Sequence, residues 1–211
     1  WSIVDDGAGG LFVGTTAGVV RHDGQRIVAP PHSRMQSISV RSLLRTTDVA
    51  LWMGSFWDQR VYRYLHGRIQ VMTPPDWQYE VQALFQDASG DVWVGSRGGG
   101  LLRWDGKTWQ IYGADGPQKV QSITQTTDGD LWFATGSFYT MFYMSGSGAI
   151  RYDGHSRKIL TTQDGLSSDF VFSVAEASDS AIWIGTGKGV DVLSADTLIS
   201  IPVRDVWHFQ E

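Results

Sequence analysis

The feature that most constrains the fold is a pattern that returns five times. Trp93, with Gly95 two residues on, is matched by Phe12 with Gly14, Trp52 with Gly54, Trp132 with Ala134 and Trp183 with Gly185. In chain order the steps are 40, 41, 39 and 51 residues. A second landmark follows each pair: Asp23-Gly24, His66-Gly67, Asp105-Gly106, Asp153-Gly154 and, degraded, Ser194-Ala195-Asp196. A third precedes four of them, a Val with an aliphatic residue three on: Val40 and Leu43, Val81 and Leu84, Val120 and Ile123, Val171 and Val174. Three landmarks in fixed order at a period near 40, on segments of strand character, point to the blades of a propeller.

The cleanest copy, residues 81–112, resolves into four strands. Val81 to Gln86 is the first, and Asp87-Ala88-Ser89-Gly90 turns into a second, Asp91 to Ser96. Gly98-Gly99-Gly100 leads to a third, Leu101 to Trp104. Asp105-Gly106 is a hairpin signal of the kind that needs positive φ, and Lys107 to Tyr112 is the fourth. No stretch sustains a 3.6-residue period, so essentially no helix is expected. The second strands, Val92-Trp93-Val94, Leu131-Trp132-Phe133 and Ile182-Trp183-Ile184, are apolar on both faces and so are expected to be buried on both. A propeller meets that demand by sandwiching each sheet between neighbours. The recurring Trp and Gly are read as packing elements, with Gly letting a neighbouring chain come close.

These residues resemble a known family. The run 164–174 with Ile182-Trp183-Ile184-Gly185-Thr186 and Gly189-Val190, the run 90–95 with Leu102-Arg103-Trp104-Asp105, and the run 129–132 with Ile150-Arg151-Tyr152-Asp153 are similar to the two-component-regulator propeller repeat. The resemblance extends over nearly the whole chain. It implies an all-β fold, a β-propeller of four-stranded antiparallel blades, either a five-bladed ring or part of a larger propeller. It also implies the sensing region of a bacterial two-component-type signalling protein, periplasmic or extracellular, because such repeats form the sensing part of membrane-spanning hybrid histidine kinases and also occur in secreted proteins.

One propeller domain over residues 1–211 is expected, with repeats at about 1–39, 40–80, 81–119, 120–170 and 171–202 and an extra strand over 203–209. The chain starts at Trp1, already inside a repeat, so a start cut from a longer or processed chain is expected, and any membrane contact would come from segments absent here. Composition excludes several classes. There is no Cys, hence no disulfide framework, thiolate metal site or cysteine nucleophile. A formal net charge of −5 without a Lys/Arg cluster argues against nucleic acid as a partner. Asn is absent, so no N-glycosylation acceptor exists.

No catalytic or cofactor motif stands out. Asp87-Ala88-Ser89-Gly90-Asp91 and Thr127-Asp128-Gly129-Asp130 resemble pieces of calcium loops without the full ligand series, and tight turns account for them. Gly98-Gly99-Gly100 is not followed by the Lys-Ser/Thr of a phosphate loop. His22, His66 and His155 fall in or beside equivalent turns of different repeats, so a three-His metal site from them is not expected. No metal and no cofactor is implied.

Propeller topology puts the loops joining second to third strands, and those joining one repeat to the next, on one face. That face is the richer one. It collects Trp57, Arg97, Tyr139 and Tyr143 from the first kind of loop and Trp77 and Tyr79 from the second. The residue after the first Val of each repeat, Arg41, Gln82 and Gln121 among them, starts the innermost strand of a propeller blade and is placed at the mouth of its channel. Aromatic rings beside Arg and Gln suit a carbohydrate or a small acidic ligand, through stacking and bidentate hydrogen bonds; another protein is the alternative partner. The fourth repeat carries about ten extra residues at 136–148, rich in aromatic and Met side chains. They form either a longer hairpin that packs on a neighbour or a ligand or partner surface. Two functions follow: a non-catalytic ligand- or partner-binding module, or a secreted carbohydrate-active lyase or hydrolase with its site at the channel mouth.

Overall fold

The computed structural model describes residues 2–113, 116–140 and 143–202. Two compact units divide the chain, Trp1–Gln118 and Lys119–Glu211. In the first, β1 (Ser2–Asp5), β2 (Leu11–Thr15), β3 (Gly18–His22) and β4 (Ile27–Val28) make one four-stranded sheet. A second is made by β5 (Val40–Arg45), β6 (Leu51–Ser55), β7 (Val61–Leu65) and β8 (Arg68–Val71), and a third by β9 (Val81–Gln86), β10 (Val92–Ser96), β11 (Leu101–Trp104) and β12 (Trp109–Tyr112). The second unit holds the fourth sheet, β13 (Val120–Gln125), β14 (Leu131–Thr135), β17 (Ala149–Tyr152) and β18 (Arg157–Leu160), with a separate ribbon of β15 (Ser137–Thr140) and β16 (Tyr143–Ser145). Its fifth sheet is β19 (Val171–Glu176), β20 (Ile182–Thr186), β21 (Gly189–Ser194) and β22 (Thr197–Pro202). All pairings are antiparallel, and each sheet runs in chain order. The extra strand expected over 203–209 lies outside the described residues.

Helical structure among the described residues is confined to two 3₁₀ turns, Ser33–Ser37 and Thr162–Asp164, both in connections between sheets. Two strands of the template repeat start later than the sequence suggests. β10 begins at Val92 rather than Asp91, because Asp91 turns its carboxylate to Arg103 Nε at 2.7 Å. β12 begins at Trp109 rather than Lys107, because the N–H groups of Lys107 and Thr108 donate to Asp105 Oδ1 at 2.8 and 2.7 Å. That Asx turn explains the Asp-Gly landmark: the carboxylate ties down two N–H groups, and Gly106, at φ 92°, takes the left-handed conformation that closes the hairpin.

The Trp/Gly landmark is a packing device. Trp52, Trp93 and Trp132 are each 2% exposed. In the first unit Trp52 joins a core with Val81, Val92, Val94 and Leu102 of the next sheet, a contribution of about 2–3 kcal/mol for a ring so buried. Gly54 is the hole for that sheet's leading Val: a Cβ on Gly54 would lie 2.4 Å from Val81 Cγ1. Gly14 stands likewise 2.7 Å from Val40 Cγ1. The fifth copy departs from the rule. Trp183 is 45% exposed.

A further column went unnoticed in the sequence. In the first four sheets the cross-strand partner of the second-strand aromatic is an Arg: Arg21 opposite Phe12, Arg63 opposite Trp52, Arg103 opposite Trp93 and Arg151 opposite Trp132. Three of these guanidiniums lie 5.5–6.0 Å from the facing ring centroid, those of Arg21, Arg63 and Arg103. All four pair with a carboxylate of the preceding turn, Asp6, Asp48, Asp91 and Asp130 respectively. In the fifth sheet the partner of Trp183 is Val192, so that ring lacks the cation that covers its counterparts.

A β-bulge opens four sheets at the same point. Register shifts occur between Val40 and Ser42, at Val81 to Ala83, between Val120 and Ser122 and between Val171 and Ser173. The skipped residues are Arg41, Gln82, Gln121 and Phe172, the position singled out in the sequence after each leading Val.

Candidate ligand-binding face

The first compact unit forms a cleft of about 380 Å³ between the β6–β7 loop and the connection from β8 to β9. Its walls include Asp58, Gln59, Arg60, Pro74, Trp77 and Gln78. The loop is tight for local reasons. Ser55 N–H donates to the Arg60 carbonyl at 2.8 Å, Asp58 N–H to Ser55 Oγ at 3.2 Å, and Gln59 takes φ 55° to turn the chain. Trp57 sits at the tip, 70% exposed, with Phe56 edge-on at 4.9 Å between ring centroids. On the other wall Trp77 N–H donates to the Pro74 carbonyl at 3.1 Å and closes a turn.

Charge is distributed unevenly in the cleft. Asp58 Oδ2 accepts from the Tyr62 hydroxyl at 2.8 Å, and the Arg34 guanidinium lies 5.4 Å from the Tyr62 ring centroid. Burial, and then the Asp58 carboxylate, push the Tyr62 hydroxyl above the usual phenol range. Arg60 has no ion-pair partner among the described residues, unlike Arg97, which pairs with Glu80 at 3.1 Å. An aromatic tip, a proline-lined wall and an uncommitted guanidinium can hold a small polar or anionic ligand.

The residues singled out from the sequence fare differently. Trp57 is presented to solvent. Trp77, expected as a ligand contact, is 5% exposed and belongs to the core over Trp52, its indole N–H aimed at the Gly99 carbonyl at 3.4 Å. Tyr79, 41% exposed, lies edge-on to Trp77 at 5.6 Å and over Gly99, where a Cβ would stand 2.2 Å from the Tyr79 ring; that close approach explains Gly99, while Gly98 and Gly100 take φ 102° and 76°. Arg41 is exposed on its bulge, whereas Gln82 is buried. In the second unit Gln121 donates from Nε2 to the Gly136 carbonyl at 2.5 Å. Tyr139 and Tyr143 fall in the ribbon β15–β16, and their side chains lie outside the described residues. Arg60, Pro74 and Gln78 were not picked out. Their signal was the Pro-Pro pair at 74–75, which fixes the connection's path.

The family model for the two-component regulator propeller matches residues 165–188. The fifth copy is a two-component-regulator propeller repeat. That stretch holds Gly165-Leu166-Ser167-Ser168, β19 and β20, the fifth copy of the pattern. Among solved structures, the extracellular domain of the hybrid two-component system protein BT3049 from B. thetaiotaomicron superposes with a TM-score of 0.75 at 21% identity, over 94% of this chain and 27% of that one. Virginiamycin B lyase from Staphylococcus aureus, in its catalytically inactive H270A form with quinupristin, gives 0.72 at 15% identity, over 97% and 70%. PorZ, a surface component of the type-IX secretion system of Porphyromonas gingivalis, gives 0.64 at 14%, over 92% and 33%. The chain thus spans about a quarter of the length of the BT3049 domain. No curated protein sequence matches it. The five sheets are propeller blades, and the extracellular domain of a hybrid two-component system, a lyase and a secretion component share their architecture. No helix among the described residues is long and apolar enough to cross a membrane.

Proposed function

We propose that this propeller is a non-catalytic recognition module, the sensing region of a bacterial two-component-type signalling protein, working in the periplasm or outside the cell. Its ligand is a small molecule, with a carbohydrate or compact organic acid as the favoured chemistry, held at the cleft beside Trp57. The observation that carries this reading is a Trp exposed at the tip of a tight loop whose next residues, up to the uncommitted Arg60, line the cleft. An indole held in water by a tight turn adds nothing to the core, and stacking on a sugar or apolar body is its natural use. The family repeat and the likeness to the BT3049 extracellular domain support the sensing role and the location.

Thermal-shift screening of the chain against neutral oligosaccharides, uronic-acid oligosaccharides and dicarboxylic acids tests it, with Trp57→Ala and Arg60→Ala in parallel. At least one ligand is expected to raise the melting temperature of the parent, with the shift lost in Trp57→Ala. A shift that both variants retain would move the site elsewhere, and the absence of any shift across the panel would overturn the ligand assignment.

A further inference from the structure

We propose that the second compact unit carries a separate site for an organic cation with an aromatic body, in a cleft of about 260 Å³ over Trp132 between the fourth and fifth sheets. The cleft arises from a change in the repeat. Between the second and third sheets, Trp52 is covered by Trp104 and Trp109, the latter edge-on at 6.4 Å. Those two face each other at the β11–β12 register, with Trp104 also opposite Val92. At the matching register of the fifth sheet stand Leu193, opposite Ile182, and Leu198. Two indoles are therefore replaced by two isobutyl groups over the same kind of floor, and space opens above Trp132, bordered by Ile182 and Leu193.

The floor itself asks for a ligand. Trp132 is 2% exposed and lines the cleft, yet its indole N–H meets no acceptor among the described residues. In the third sheet the Trp93 N–H donates to Asp87 Oδ2 at 2.7 Å. The position of Asp87 is taken in the fourth sheet by Thr126, whose hydroxyl goes instead to Asp128 Oδ1 at 2.5 Å and to the Asp130 carbonyl at 3.0 Å. A donor that borders the cleft without a partner favours a guest that accepts, and an aromatic face accepts N–H while filling apolar space.

The rim selects charge. Asp128, Glu176 and Asp196 line the opening, and Arg151 is the cation among them. Arg151 is already engaged by Asp130 and, at 3.6 Å, by Asp128. Glu176 is fixed in place by the Thr127 N–H and hydroxyl at 2.8 and 2.9 Å, and it stands at the register position that Asp5, Arg45, Gln86 and Gln125 hold in the other sheets. Asp196 carries no hydrogen bond or ion pair among the described residues. Negative charge is thus in excess at the mouth of an aromatic-floored cleft, the setting for an arylalkyl ammonium group.

Isothermal titration with phenethylammonium and with its uncharged near-isostere 2-phenylethanol tests the assignment. The parent is expected to bind the ammonium saturably at millimolar concentration and the alcohol far more weakly. Leu193→Trp, which restores the residue that the third sheet accommodates as Trp104, is expected to abolish binding with the circular dichroism spectrum unchanged. Asp196→Asn, at an exposed turn, is expected to weaken it about two- to fivefold and to reduce its salt dependence. No binding to the parent, equal binding of the alcohol, or full binding by Leu193→Trp would each overturn the proposal. Because this cleft belongs to the other compact unit, none of these results bears on the Trp57 site.

Discussion

Replacing Gly54 by Ala adds one methyl group at the tightest contact between the second and third sheets. The new Cβ would meet Val81 Cγ1 at 2.4 Å and Val81 Cβ at 3.0 Å, where ordinary contact begins at 3.4 Å. Val81 is wholly buried, packed with Trp52, Val92 and Val94, so relief of about 1 Å must come from the separation of two sheets rather than from a rotamer change. Overpacking of this kind costs about 1–3 kcal/mol, and the stiffer unfolded chain returns about 0.4–1 kcal/mol, so a net loss of about 1–2 kcal/mol is expected. The control is Gly185→Ala, the same landmark in the fifth sheet. There the nearest atom is Ser173 Oγ at 2.7 Å, a hydroxyl that rotates away, and the next is at 3.8 Å. Guanidinium titrations followed by Trp fluorescence measure both. Equal midpoints for Gly54→Ala and the parent, or equal losses for the two variants, would refute the reading of the Trp/Gly pair as a knob and its hole.

Trp132→Ala is expected to cost about 3–5 kcal/mol and Trp183→Ala about 1–2, following their 2% and 45% exposure, in the same titrations. Asp191 is fully buried where the other sheets place Val20, Tyr62, Leu102 and Ile150, and its Oδ2 accepts from both the N–H and the hydroxyl of Ser167 at 2.9 Å while Oδ1 has no partner. Asp191→Ala is expected to cost about 1–3 kcal/mol and to speed amide exchange at Ser167, and unchanged exchange there would argue against the latch. The Asp6 carboxyl, held by the Ala8 N–H, Arg21 and the Gly10 N–H, and the Asp153 carboxyl, held by the Ser156 and His155 N–H groups, are both lowered from 3.8 to about 2. Their contribution to stability is complete above the unfolded value of 3.8 and is lost as pH falls towards 2. Urea midpoints measured down that range should fall less steeply in Asp6→Asn and Asp153→Asn than in the parent.

The blade pattern was legible because each of its landmarks does one mechanical job that few residues perform. Asp105-Gly106 ties a turn, Trp93 fills a gap between sheets, and Gly54 makes room for Val81. The Arg column escaped notice because Arg21, Arg63, Arg103 and Arg151 look like ordinary charged residues until the register sets them over rings and beside turn carboxylates. Exposure was the harder quantity. Trp77 and Trp57 are both loop tryptophans in sequence, yet a turn closed on Pro74 carries one into the core while the five-residue loop between β6 and β7 holds the other in water. The cleft over Trp132 was invisible for a related reason: Leu193 and Leu198 are unremarkable strand residues, and only the indoles at the same register elsewhere show what they leave empty.

The bulge at the head of β5, β9, β13 and β19 separates two kinds of inheritance. Residues on either side of it are bound by the pairing, since a slip by one would turn every following side chain to the wrong face. The skipped residue answers to no cross-strand neighbour, and four copies have filled it with Arg41, Gln82, Gln121 and Phe172, a cation, two amides and a ring. Each of these four sheets therefore has one position that no cross-strand partner constrains. A library varied at those four positions alone would diversify the protein's chemistry while leaving its cross-strand register intact.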